Sequence, residues 1–160
     1  MPANNRRISL PVMGTIVIIL SFILDQLSKY WVQDEIGFFS SEVVITPFFN
    51  LVFVINEGVS FGFLSDLPFD GQWPLIVLTS LLVIVIFIWM LKANTLFQEM
   101  SFGFIIGGAL GNIIDRIIHG GVIDFLDFHM TGYHWPAFNL ADTFIFIGVA
   151  LLLFCGIKLK

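Results

Sequence analysis

The amino-acid sequence predicts an all-α integral membrane protein, a four-transmembrane-helix bundle carrying a small extracytoplasmic β segment. Three observations predict it. Of 160 residues, 58% are apolar and only 12% are charged, about half the charged share of an ordinary soluble domain. Four stretches approach the roughly 20 apolar residues needed to carry a helix, at about 1.5 Å per residue, across about 30 Å of hydrocarbon. The charges gather near one end of the first, third and fourth of these stretches, and the second has none. The same composition excludes a disordered chain, while a net charge of −5 and a single cysteine exclude a nucleic-acid binder and a disulfide-stapled secreted module. Residues 1–160 fit a single membrane domain.

The first span covers about residues 11–31 and is apolar as far as Asp25. Arg6 and Arg7 precede it in the manner of a basic leader, but the run is too long for a signal core. It ends in the charged DQLSK instead of a small-residue cleavage site, so it reads as a retained helix. Within the following segment, VVITPFFNLVFVIN (Val43 to Asn56) is rich in β-branched and aromatic residues, with Pro47 tolerable only at an edge or bulge. It predicts one or two short strands in a β segment of about 43–64, whose phenylalanines suit a membrane surface. The second span, about 73–91, holds no charge. The third, about 100–118, is apolar to Leu110 and then turns polar at Asn112, Asp115 and Arg116. Its Gly103, Gly107 and Gly111, with Gly108 beside them, form a ladder that lets a neighbouring backbone approach closely. The fourth span, about 140–157, has Asp142 near its start.

With both termini cytoplasmic, Arg6, Arg7, Lys92, Lys158 and Lys160 lie inside, as the bias of basic residues towards the cytoplasm requires. Of the twelve acidic residues only Glu99 then falls inside. Asp25, Lys29, Asn56, Asn112, Asp115, Arg116, Asp124, Asn139 and Asp142 converge on the outer interface. Ionisable groups there are expensive and mark a site. Asp25 and Lys29 stand i,i+4 in the order that favours an ion pair, and Asn112 and Arg116 share a helix face by the same spacing.

Asp124 in VIDFLDF and Asp142 in AFNLADTFIF sit among apolar and aromatic residues, where a lone carboxylate tends to protonate. Facing each other they would share one proton, one acting as general base for water and the other as general acid, the chemistry of an aspartic hydrolase. Asp127 is an alternative to Asp124 in that pair. Other chemistries lack their spacing: there is no HExxH and no GxSxG, and the glycines of GGALGN lie inside an apolar span. His119, His129 and His134 with Asp127 read as headgroup contacts more simply than as metal ligands, a Ser60–Lys29 dyad has no supporting spacing, and Cys155 lies deep in the fourth span. A proton or cation transporter using the interfacial carboxylates is the competing reading. It would place acids at several depths.

DQLSKYWV (Asp25 to Val32), FNLVFVINEGVSFGFL (Phe49 to Leu64), GGALGNIIDRIIHGGVIDFLDF (Gly107 to Phe128) and PAFNLADTFI (Pro136 to Ile145) resemble, in order and interval, the motif blocks of bacterial lipoprotein signal peptidase, or signal peptidase II. The resemblance spans nearly the whole chain. It implies an aspartic endopeptidase of the bacterial inner membrane that cleaves diacylglyceryl-modified prolipoproteins before the lipidated cysteine, with its site at the outer face and sensitivity to the cyclic peptide globomycin. It maps the catalytic pair onto Asp124 and Asp142, the supporting polar residues onto Asn56, Asn112, Arg116 and Asn139, and positions of structural weight onto Asp25, Lys29 and Asp115. It also implies that the β segment is a small cradle on the outer membrane surface. Glu57 departs from the family pattern, where a small or polar residue is usual, and adds a carboxylate near the substrate's polar region. No metal or organic cofactor is expected; membrane lipid and prolipoprotein are the expected partners, and four spans with one glycine ladder suffice for a monomer.

Overall fold

The computed structural model describes residues 11–37, 42–58 and 72–154. Arg6, Arg7, Ser60, Cys155, Lys158, Lys160, the end of the expected β segment and the end of the fourth span lie outside the described residues. Within them the chain runs α1 (Val12–Glu35), β1 (Glu42–Thr46), β2 (Phe49–Asn56), α2 (Gln72–Met90), α3 (Leu96–His119), β3 (Val122–Met130), β4 (Tyr133–His134) and α4 (Leu140–Phe154). Helices α1, α2 and α3 are long and apolar enough to cross a membrane, and α4 is a shorter apolar helix.

Helix α3 is central because small residues let two neighbours reach its backbone. On α1 the buried residues Gly14, Val17, Ser21, Asp25, Lys29 and Val32 recur every three or four positions and form one stripe. That stripe lies on the glycine ladder: a Cβ on Gly103 would stand 2.7 Å from the Gly14 carbonyl, and one on Gly107 would stand 2.8 Å from the Ile18 carbonyl and run into the Ser21 hydroxyl. Gly108, just over a quarter of a turn round, gives its close approach to the Ala141 carbonyl of α4 instead. At the start of α3, Thr95 accepts a bond from the Gln98 N–H and the Gln98 side chain reaches back to the Asn94 N–H, a capping arrangement that satisfies two backbone donors. Helix α2 buries only Ile76 and Met90; its exposed Val77, Leu81, Ile84 and Ile88 suit a lipid-facing helix.

The strands form one antiparallel sheet in the order β1-β2-β3-β4. Pro47 lies in the β1–β2 turn beside a register shift between Val44 and Thr46, where its missing N–H costs nothing. The sheet extends beyond the β segment the sequence predicts, because β3, its longest strand, lies in a stretch where the sequence predicts no element. The run VIDFLDFHM does not alternate between apolar and polar, so periodicity hides it, and pairing of Val54 with Asp124, Ile55 with Ile123 and Asn56 with Val122 imposes the extended form. Under the sheet, Phe125 packs with Val32 and Ile36 from the end of α1, and Leu51, Phe53 and Leu140 close around them. That contact seats β3 on the ends of α1 and α4.

Candidate active site

The polar residues form one connected network, best followed from Lys29. Its Nζ lies 2.8 Å from a carboxylate oxygen of Asp25 and 2.8 Å from one of Asp115, and all three side chains are buried. Such a cluster survives burial only when the remaining lone pairs are met. Here Asp25 accepts the Ala141 N–H at 2.8 Å, Asp115 accepts the Ile123 N–H at 3.1 Å, and the Gln26 amide bridges the two carboxylates at 3.1 and 3.0 Å. The cluster therefore ties α1 and α3 to the start of β3 and the first turn of α4. The pair expected at i,i+4 is present, but its second acid, Asp115, and its bridge, Gln26, carry no signal in sequence spacing.

From Lys29 the network passes through three asparagines whose orientation is settled by what each acceptor oxygen holds. Lys29 donates to Asn112 Oδ1 at 3.1 Å, so Asn112 Nδ2 points at Asp142 Oδ1, 2.8 Å away. Asn139 is the N-cap of α4: its Oδ1 accepts the Asp142 N–H at 2.9 Å, leaving Nδ2 to donate to Asp124 Oδ1 at 2.7 Å and to Asn112 Oδ1 at 3.3 Å. Asn56 Oδ1 accepts the Gly58 N–H at 2.9 Å, in a turn that needs φ +70° at Gly58, and Asn56 Nδ2 donates to Asp124 Oδ2 at 2.8 Å. Asp142 sits in the first turn of α4, at the positive end of its dipole.

Asp124 is only 2% exposed. Burial pushes its carboxyl up to about 6, and the charge of Asp142 adds to the rise, against the hydrogen bonds from Asn56 and Asn139. It lies in the wall of a cavity of about 340 Å³ formed with residues 54–58 and with Pro136 and Ala137. Arg116 donates from Nη1 to the Asn112 carbonyl at 3.2 Å, while its buried Nε has no partner among the described residues. Its guanidinium is placed to attract the carboxylates of Asp142, Asp115 and Asp124.

Asp127 stands apart from this network. Three residues along the strand, its side chain accepts from Asn50 at 3.2 Å and meets His134 Nδ1 at 2.9 Å, so it is not the neighbour of Asn139 that the alternative pairing would need. His129 stacks on His134 with ring centroids 4.8 Å apart, and among the described residues no three His, Cys, Asp or Glu side chains gather to hold a metal.

The chain as a whole has counterparts among known proteins. Residues 17–158 match the family model described as signal peptidase (SPase) II. The chain is 49% identical over 139 residues to the lipoprotein signal peptidase of Alteromonas mediterranea, covering 84% of this chain and 74% of that one. It is 44% identical over 142 residues to the lipoprotein signal peptidase of Aeromonas hydrophila, covering 88% and 85%. Two solved bacterial membrane enzymes share the fold: one has a TM-score of 0.77 at 28% identity over 92% of this chain and 94% of its own, the other 0.73 at 30% identity over 89% and 85%. A match that runs through α1, the sheet, the glycine ladder and the start of α4 takes in every part of the network, and the chain belongs to the signal peptidase II family.

Proposed function

We propose that this chain is an aspartic endopeptidase that removes the signal peptide from diacylglyceryl-modified prolipoproteins, cleaving before the lipidated cysteine, with Asp124 and Asp142 as the catalytic pair. The observation that supports it most is the linkage of the two side chains: Asn139 bonds the carboxylate of one and the backbone of the other, and Asn112 touches both Asn139 and the second carboxylate. Asp124, raised to about 6, keeps its proton to higher pH than an ordinary carboxyl, and a substrate that displaces water from the cavity pushes it further toward the protonated form that the cycle needs. In the proposed cycle Asp142 takes a proton from the attacking water. Asp124 donates first to the developing oxyanion and then, after exchange of the proton, the pair delivers one to the leaving amine. The buried Nε–H of Arg116, without a partner among the described residues, is a donor that a substrate carbonyl could take up as acceptor.

The finer architecture belongs to the same reading. Helix α4 serves as the fourth span, both termini face the cytoplasm of a bacterial inner membrane, and the sheet lies on the outer surface as a cradle. A monomer suffices. The substrate's acyl chains and signal helix then stay in lipid while one peptide bond reaches the carboxylates. A transporter would need ionisable groups through the depth of the bundle, and α2 contains none. The test is cleavage of a lipidated prolipoprotein in detergent by Asp124→Asn and Asp142→Asn separately. Each should lower kcat by about 10³-fold or more with the helix content unchanged. Full activity in either variant removes that residue from the pair.

A further inference from the structure

Glu57 shares the wall of the cavity with Asp124, and its backbone is held from both sides. Asn56 is bonded to Asp124 through one end of its amide and to the Gly58 N–H through the other. The Glu57 carbonyl itself accepts the Gln72 amide at 2.6 Å. The turn that carries Glu57 is thus anchored to the carboxylate proposed to do the chemistry, while its side chain stays exposed.

Among the described residues that line the cavity, none carries a positive charge to pair with it. Residues 54–58, Asp124, Pro136 and Ala137 of the cavity wall include no cation, and no Lys, Arg or His occurs anywhere in the sequence from Tyr30 to Leu91. A substrate entering the cavity meets the exposed Glu57 carboxylate with no cation in the wall beside it. An extended peptide presents alternate side chains to alternate sides, so only one flanking position, or positions two apart, would face Glu57.

We infer that Glu57 is a specificity-determining residue, selecting beside the scissile bond a substrate side chain that is cationic over one that is neutral, and a neutral one over one that is anionic. The inference rests on the peptidase reading given above. An exposed pair of charges changes affinity by about 2–5-fold, so the spread from cation to anion at the facing position is about 5–20-fold. It narrows as salt is raised, because the pair is open to solvent.

The experiment uses the full-length enzyme in detergent and synthetic diacylglyceryl lipopeptides carrying Lys, Gln or Glu, one at a time, at the two residues on either side of the cleaved bond, the lipidated cysteine excepted. The readout is the ratio of kcat/KM values among peptides within each enzyme, so a general loss of activity in a variant cancels. At one facing position the wild type should cleave Lys faster than Gln and Gln faster than Glu. Glu57→Gln should bring the three within about 2-fold, and Glu57→Lys should invert the order. A wild type with no order at any position, or an order that persists in Glu57→Gln, overturns the inference and leaves the peptidase reading standing. Failure of the wild type to cleave any of the peptides overturns both.

Discussion

Replacing Asp124 by Asn should flatten the dependence of stability on pH. The folded chain holds the Asp124 carboxyl at about 6 against an ordinary value of 3.8, since it is buried and faces a second carboxylate. Between those two values the folded state binds more protons than the unfolded state, so stability falls as pH climbs from about 4 to about 6 and is level on either side. At about 1.4 kcal/mol per pH unit, the gap from 3.8 to about 6 is worth about 3 kcal/mol. For a chain of this size that is about 6–12 °C in Tm. Asn does not titrate, so the variant loses this slope. It also sets an amide nitrogen against the Nδ2 of Asn56 or Asn139, neither of which is free to turn, at a cost of about 1–3 kcal/mol. That cost is independent of pH and appears as an offset. Thermal unfolding in detergent at half-unit steps from pH 4 to pH 8 separates the two, because titrating groups remote from Asp124 contribute to both proteins and cancel in the difference. The wild type should lose Tm relative to the variant by about 6–12 °C between pH 4 and pH 6.5. Parallel curves across that range would refute a carboxyl raised by burial.

Lys29→Met strands the buried carboxylates of Asp25 and Asp115 and should cost about 3–5 kcal/mol, seen as a fall in Tm and in folded yield. Adding Asp25→Asn and Asp115→Asn should recover much of it, and no recovery would mean that Lys29 acts through packing instead. Gly107→Ala drives a Cβ into the Ser21 hydroxyl and to 2.8 Å from the Ile18 carbonyl, and should cost about 1–3 kcal/mol in thermal unfolding. Ser21→Ala should rescue only part of that, since the backbone contact remains.

The parts of this molecule legible in sequence are those set by local chemistry. Charge-poor runs mark α1, α2 and α3, and the i,i+4 spacing marks the Asp25–Lys29 pair. What stays hidden depends on contacts between distant segments. Asp115 reaches Lys29 across the α1–α3 interface, and the glycines divide between two neighbours, a division fixed by the angle of Gly108 around the helix. The choice between Asp124 and Asp127 turns on which side of β3 faces Asn139, and β3 itself is extended because β2 pairs with it. Periodicity in a strand interrupted by two acids cannot supply that.

The use of asparagine at three joints of the network follows from what an amide can and cannot do. A hydroxyl can donate in any direction its rotor allows, and a glutamine adds a torsion that must be frozen. An asparagine has one accepting end and one donating end on a short stem. Once its oxygen is engaged by a group that can only donate, its nitrogen must face an acceptor. In this chain the engaging groups are the Lys29 ammonium, the Asp142 N–H and the Gly58 N–H, none of which can reverse its role. Each amide is therefore locked in the sense that presents N–H to a carboxylate of the pair, and the lock is written in backbone and in a buried charge. On this argument the Lys29 cluster does more than hold helices together: through Asn112 it fixes the direction from which Asp142 is hydrogen-bonded, so the stability of the bundle and the orientation of the pair depend on the same ion.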